Sequence, residues 1–133
     1  MRFRSKLFIA ADVTVPISTT YVDGTNFTSE TQLLAYGDSA SIMMKVDGQH
    51  ASCSLNVIFK FATYNPALEV WDTVDFLGAG GGIEVAANGT TAVYYTIPIS
   101  VGIEKIKLLS IQNQESVAGY TVNCNAAIYV KEK

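Results

Sequence analysis

Polar and apolar residues alternate along most of this chain with a period of two. That is the period of an extended strand with one face buried and one exposed. The clearest stretch is 51–63. Cys53, Leu55, Val57, Phe59 and Phe61 fall on one side, and Ser52, Ser54, Asn56 and Lys60 on the other, with Ile58 the exception. In 120–130, Tyr120, Val122, Cys124, Ala126, Ile128 and Val130 alternate with Thr121, Asn123, Asn125, Ala127 and Tyr129. Both read as half-buried antiparallel strands. Shorter runs of the same kind cover 3–11, 13–17, 40–46, 68–74, 83–86, 92–99 and 105–111.

Turn signals separate these runs: Asp23-Gly24, Asp47-Gly48, Asn65-Pro66, the glycines of 78–82, Asn88-Gly89 and the polar stretch 112–116. Asp47-Gly48 lies between two alternating runs and predicts a hairpin joining 40–46 to 51–63. Pro98 has no N–H to give to a ladder, so its strand is expected at a sheet edge or bulged there. Helix signals are poor. Only 28–36 could hold a helical turn, with Ser29 as cap and Gln32 in the capping-box position, and a strand fits it equally.

About eight short strands with turn-rich joints predict an all-β fold, an antiparallel β-sandwich that is jelly-roll-like or Ig-like, with a barrel as the lesser possibility. Two sheets stacked about 10 Å apart would bury their apolar faces against each other. No internal shift in composition divides residues 1–133, so a single domain is expected.

Composition narrows the function. Of 133 residues, 49% are hydrophobic and only 16% charged, against a usual value of about 25% charged. Ser, Thr, Asn and Gln supply much of the polarity instead. Such groups are cheaper to bury against a neighbour than ions, which suits a protein packed into an assembly and equally a secreted domain. No apolar run approaches the roughly 20 residues of a membrane-spanning helix. The net charge of −3 speaks against a nucleic-acid partner, because phosphate binding favours a basic surface. Arg2, Arg4 and Lys6 begin the chain, and Lys131 and Lys133 end it, around an acidic body. The ends are either solvated termini or docking arms for an acidic neighbour such as another copy. A secretion signal is not expected, since the apolar stretch 7–11 is short and stops at Asp12. Without one, the Asn26 and Asn88 glycosylation patterns read as turns. Cys53 and Cys124 are either two buried thiols or one cross-sheet bridge.

The case for catalysis is weak at each motif. His50 is the only histidine, expected to be exposed beside the Asp47-Gly48 turn, and no Gly-x-Ser-x-Gly elbow offers it a nucleophile. One histidine and two distant cysteines do not make a zinc site. Gly78, Gly80, Gly81 and Gly82 lack the lysine of a phosphate loop and run into the strand pattern Ile83-Glu84-Val85. They read as a loop that another backbone can approach closely, as at a subunit contact. Glu69, Asp72 and Asp75 surround Trp71. They could serve as a carboxylate pair or a calcium site, but solvated acids at a strand end account for them better. Trp71 is core, interface or sugar platform, with Val70 and Val74 the stronger core candidates. Tyr94 and Tyr95 point to opposite faces, so at most one is core. No cofactor and no metal is expected.

Two resemblances can be weighed. Cys53, Trp71 and Cys124 follow the immunoglobulin order, but Val122 stands where that family has its tyrosine, so its disulfide is not carried over. The second rests on Asn56-Val57-Ile58-Phe59-Lys60-Phe61-Ala62-Thr63, then Val70-Trp71-Asp72-Thr73-Val74, then Val85-Ala86-Ala87-Asn88-Gly89-Thr90, then Lys105-Ile106-Lys107-Leu108-Leu109-Ser110-Ile111. This order resembles small β-sandwich proteins of tailed-phage particles: head-decoration, adaptor and tail-associated domains. The resemblance implies a non-enzymatic virion structural protein, located in the particle surface or tail. Its partners would be copies of itself and a capsid or tail protein. The candidate interface residues are Trp71, Gly78, Gly80, Gly81, Gly82, Arg2 and Arg4. The rival expectation is a carbohydrate-binding sandwich, with exposed coplanar aromatics among Trp71, Tyr94, Tyr95 and Tyr129.

Overall fold

The computed structural model describes residues 4–17, 20–22, 31–32, 39–72, 82–99 and 105–131. The strands among them are β1 (Arg4–Val15), β2 (Thr20–Val22), β3 (Thr31–Gln32), β4 (Ser39–Gly48), β5 (Asn56–Asn65), β6 (Val70–Trp71), β7 (Ile83–Ala86), β8 (Val93–Ile99), β9 (Lys105–Asn113) and β10 (Val122–Lys131). There is no helix among the described residues, and within the 28–36 segment Thr31 and Gln32 pair with β9 as a strand.

The strands form two antiparallel layers. One has the order β1-β10-β4-β8; the other runs β2-β9-β5-β6, with β3 also on β9 and β7 also on β5. Long connections carry the chain from layer to layer, so that its first and last long strands lie side by side. With the two-residue strands set aside, this is the order of a jelly roll. The expected all-β sandwich is therefore present, in the jelly-roll rather than the immunoglobulin arrangement.

Alternation decides what fills the space between layers. In β10, Val122, Cys124, Ala126, Ile128 and Val130 are buried, and Ile42, Met44 and Val46 of β4 sit beside them. The facing layer contributes Val57, Phe59, Phe61, Ile83, Val85, Ile106, Leu108 and Ile111. Phe59 and Phe61 are the largest fully buried side chains. A register shift between Lys60 and Phe61 absorbs one extra residue of β9, Leu109, and restores the inward phase of Leu108 and Ile106. The predicted runs 3–11 and 13–17 are one strand, β1, interrupted at Asp12, whose φ of 49° falls within the second of two register shifts, between Ala10 and Val13.

Three expectations are corrected. Asp47-Gly48 makes no hairpin: both residues stay in β4, opposite Asn123 and Val122 of β10. The next strand begins only at Asn56, in the other layer, so 49–55 is a crossing and not the start of a strand. Gly48 is there because a side chain would collide with the carbonyl oxygen of Gly89. Leu55, assigned to the apolar face, is 45% exposed on that crossing, although Cys53 is buried as expected. Val70, a core candidate, is 52% exposed beside the β5–β6 turn; Val74 lies outside the described residues.

Both cysteines are free and buried. Burial alone pushes the Cys124 thiol up to about 12, because a thiolate there would lose its hydration. Native protein at pH 8 should therefore react with a thiol reagent only as fast as it opens. Two thiols should appear promptly on adding denaturant; immediate reaction of both without denaturant would contradict this packing.

Candidate interaction surfaces

The surroundings of Trp71 follow from a tight turn. Asn65 ends β5, its side-chain oxygen accepts the Leu68 amide at 3.1 Å, and Glu69 takes a φ of 56° to reverse the chain. Trp71 then falls opposite Tyr64. Next to that pair the Asp72 amide donates to the Thr63 carbonyl at 2.9 Å, and the Thr63 hydroxyl donates to the Asp72 carboxylate at 2.7 Å. Phe61 and Leu108 are buried core residues paired with each other, so Tyr64, Trp71 and Lys107 stand on the opposite, outer face.

On that face the rings of Tyr64 and Trp71 meet edge-on, 5.3 Å apart at 72°. Lys107 Nζ lies 4.4 Å from the centre of the Trp71 ring, and Lys105 Nζ lies 4.7 Å from that of Tyr64. Ala62, in register with Lys107, is buried there. The four side chains hold β6 against β5 and β9, each cation–π contact contributing about 0.5–1 kcal/mol at an exposed site. They also make a cationic aromatic patch with Trp71 half-buried. The rival platform needs exposed coplanar rings among Trp71, Tyr94, Tyr95 and Tyr129, and of these Trp71 already has a lysine over its face. Since Trp71 is the only tryptophan, Lys107→Ala should shift its fluorescence to the red; an unchanged spectrum would contradict the lysine cover.

The other candidates are spread over the molecule. Gly82 ends the glycine run with a φ of 76°, and a Cβ there would lie 2.8 Å from the Phe59 carbonyl oxygen. Its lack of a side chain thus serves the close approach of β7 to β5 within this chain. Trp71 and Gly82 border the same side of β5, through β6 and β7 respectively. Arg4 is on β1 in the other layer, opposite Lys131, so the basic beginning and end of the chain are joined at one end of that sheet. Gly78, Gly80, Gly81 and Arg2 lie outside the described residues.

The groups considered for catalysis do not converge among the described residues. His50 is exposed as expected; it stacks on Tyr120 with centroids 4.3 Å apart, and its Nδ1 accepts the Ser52 amide at 3.0 Å. Glu69 is exposed at its turn and Asp72 is engaged by Thr63; Asp75 lies outside the described residues. No three His, Cys, Asp or Glu side chains among the described residues come together as a metal site.

Two features escaped the sequence reading. Glu115, in a segment read as a polar turn, is 4% exposed, and its Oε1 accepts the amides of Ser54 and Leu55 at 2.8 and 2.9 Å. It fastens the crossing to the end of β9. Asn113 beside it is fully buried, donating to the Tyr120 carbonyl at 2.9 Å and accepting the Glu115 amide at 3.1 Å. The second is the exposure of both tyrosines on β8, whose place as the last strand of its sheet Pro98 did suggest. Tyr94 is 72% exposed there and Tyr95 46%, so neither is core.

The architecture is that of a two-layer jelly roll whose distinctive groups lie on outer faces and edges. Its likenesses agree at that level. The chain resembles a chain in the structure of the infectious bursal disease virus Gx strain, with a TM-score of 0.56 and 13% identity. That match covers 98% of this chain and 32% of the other. A chain of the T13 viral particle of the same virus gives 0.53 at 10% identity, covering 98% and 31%. The present chain thus spans about a third of the length of these virus-particle chains. A weaker likeness, TM-score 0.47 at 8% identity over 96% of each chain, is to the CBM36-1 domain of a xylanase from the hindgut metagenome of Trinervitermes trinervoides. No protein-family description matches the sequence, and no curated protein does. These two likenesses show a shared fold alone, and neither is to a tailed-phage protein.

Proposed function

We propose that this protein is a structural component of a virion, working without catalysis through protein–protein interfaces, as a capsid-decoration, adaptor or tail-associated protein. The carrying observation is the match of nearly the whole chain to part of two virus-particle chains. A fold alone hosts many functions, so this is an argument by analogy of fold. The surface adds to it: few charges, many neutral polar groups, and aromatic residues on faces and edges. Its partners are copies of itself and a capsid or tail protein. The basic strand ends at Arg4 and Lys131 offer one complementary contact for an acidic body, and the cationic patch at Trp71 another.

Density-gradient fractionation of particles from the cells that produce the protein tests this reading. The chain is expected to sediment with the particles and to stay with them through a salt wash. A chain found only at the top of the gradient, as free protein, overturns the proposal. A carbohydrate-binding role would instead give a glycan-array signal that Trp71→Ala abolishes, and the covered face of Trp71 weighs against it.

A further inference from the structure

The two layers treat their edges differently. Among the described residues, β2, β3, β6 and β7 are short pieces that leave no long open ladder. β1 is long, but it carries Arg4, Lys6 and Asp12 and is broken by two register shifts. Charges, bulges and short strands are how proteins keep edges from pairing with other chains. β8 has none of these. Its sequence, Val-Tyr-Tyr-Thr-Ile-Pro-Ile, contains no charge, and its pairing with β4 runs without a shift from Val93 to Ile99. No described strand lies on its other side. Pro98 is the only residue in it that resists pairing.

Pro98 also fixes which backbone groups face outward. It has no N–H, yet its pairing with Ser41 is kept. The Ser41–Pro98 pair must therefore be of the kind that exchanges no hydrogen bonds. By alternation the same holds for Met43–Thr96 and Lys45–Tyr94, whose N–H and C=O groups on β8 point away from β4. The open edge thus offers the amides and carbonyls of Tyr94 and Thr96, and the carbonyl of Pro98.

We infer that β8 pairs antiparallel with β8 of a second copy, across a two-fold axis at Tyr95, joining two four-stranded sheets into one. This inference rests on the assembly reading and names its surface and partner. The edge is self-complementary in that register. Tyr94 of each copy exchanges two N–H···O bonds with Thr96 of the other, so every outward donor of the strand is used. Each Pro98 falls opposite Ala92, beyond the paired strand. A two-fold at Thr96 would instead set the Pro98 ring against Tyr94, where a donor is needed. At the axis the two Tyr95 rings form a close, non-hydrogen-bonded cross-strand pair, an arrangement aromatic residues favour. This accounts for Tyr95, exposed and uncharged on the core-facing side of an edge strand.

Sedimentation equilibrium of the full chain over about 1–100 µM tests the inference, with dimers expected. Thr96→Pro removes an outward donor while leaving the bonds to β4 intact, and should weaken dimerisation about ten-fold or more. Tyr95→Lys puts like charges opposite each other at the axis and should do the same. Thermal melts at the lowest concentration show whether each variant still folds; a variant that does not is replaced by Thr96→N-methylthreonine, introduced by ligation. A wild-type monomer throughout the range overturns the inference. So does an oligomer that the folded variants leave unchanged, but that result spares the assembly reading, whose own failure is free protein in the particle gradient.

Discussion

Replacing Phe59 with alanine is expected to lower the unfolding free energy by about 3–5 kcal/mol, the usual cost of emptying a large buried aromatic site. Phe59 is fully buried and paired in register with Ile111 on one side and Ile83 on the other. Its ring therefore belongs to the contact between layers, and neither β7 nor β9 can shift to fill the gap without breaking its ladder. A denaturant melt measures the effect. The midpoint should fall with the slope unchanged, since the unfolded state exposes the same surface. A change near zero would mean that the inward phase of β5 is misassigned, and with it the two-layer packing.

The second large effect is expected at Glu115. Its carboxylate is buried and accepts the consecutive amides of Ser54 and Leu55. Glu115→Ala leaves both without their acceptor, at a cost of about 2–3 kcal/mol once water reaches the exposed side of the crossing. Glu115→Gln keeps one oxygen acceptor in place and should recover most of the loss. The same melt reads both variants. If the alanine variant is as stable as the parent, water replaces the carboxylate fully, and Glu115 is not what fastens 49–55 to the end of β9.

Much of the fold was legible from alternation, because side-chain period reports directly on which face is buried. The β10 pattern and the edge position of β8 came from single residues whose chemistry is local: inward apolar positions in one case, the missing N–H of Pro98 in the other. What failed depended on partners far along the chain. Asp47-Gly48 has the composition of a hairpin turn, but Gly48 is needed where the Gly89 carbonyl passes close by. Leu55 fitted the alternation of a strand that begins only one residue later, at Asn56. Strand order was not legible either: period tells which way a residue points, not which strand lies beside it. For the surfaces, Trp71 was legible as a residue of interest, but not its cover by Lys107 from β9. Glu115 gave no signal at all, since a carboxylate in a polar turn reads as solvated until the amides that meet it are known.

Amide exchange measured residue by residue in β8 bears most directly on how this molecule works. The amides of Val93, Tyr95, Ile97 and Ile99 face β4 and should be protected at every concentration. Those of Tyr94 and Thr96 should exchange freely in dilute solution and become protected as the protein is concentrated, with Thr96→Pro removing the protection at Tyr94. Exchange at Tyr94 and Thr96 that stays fast at all concentrations would show an edge that meets no second copy, and would contradict the account.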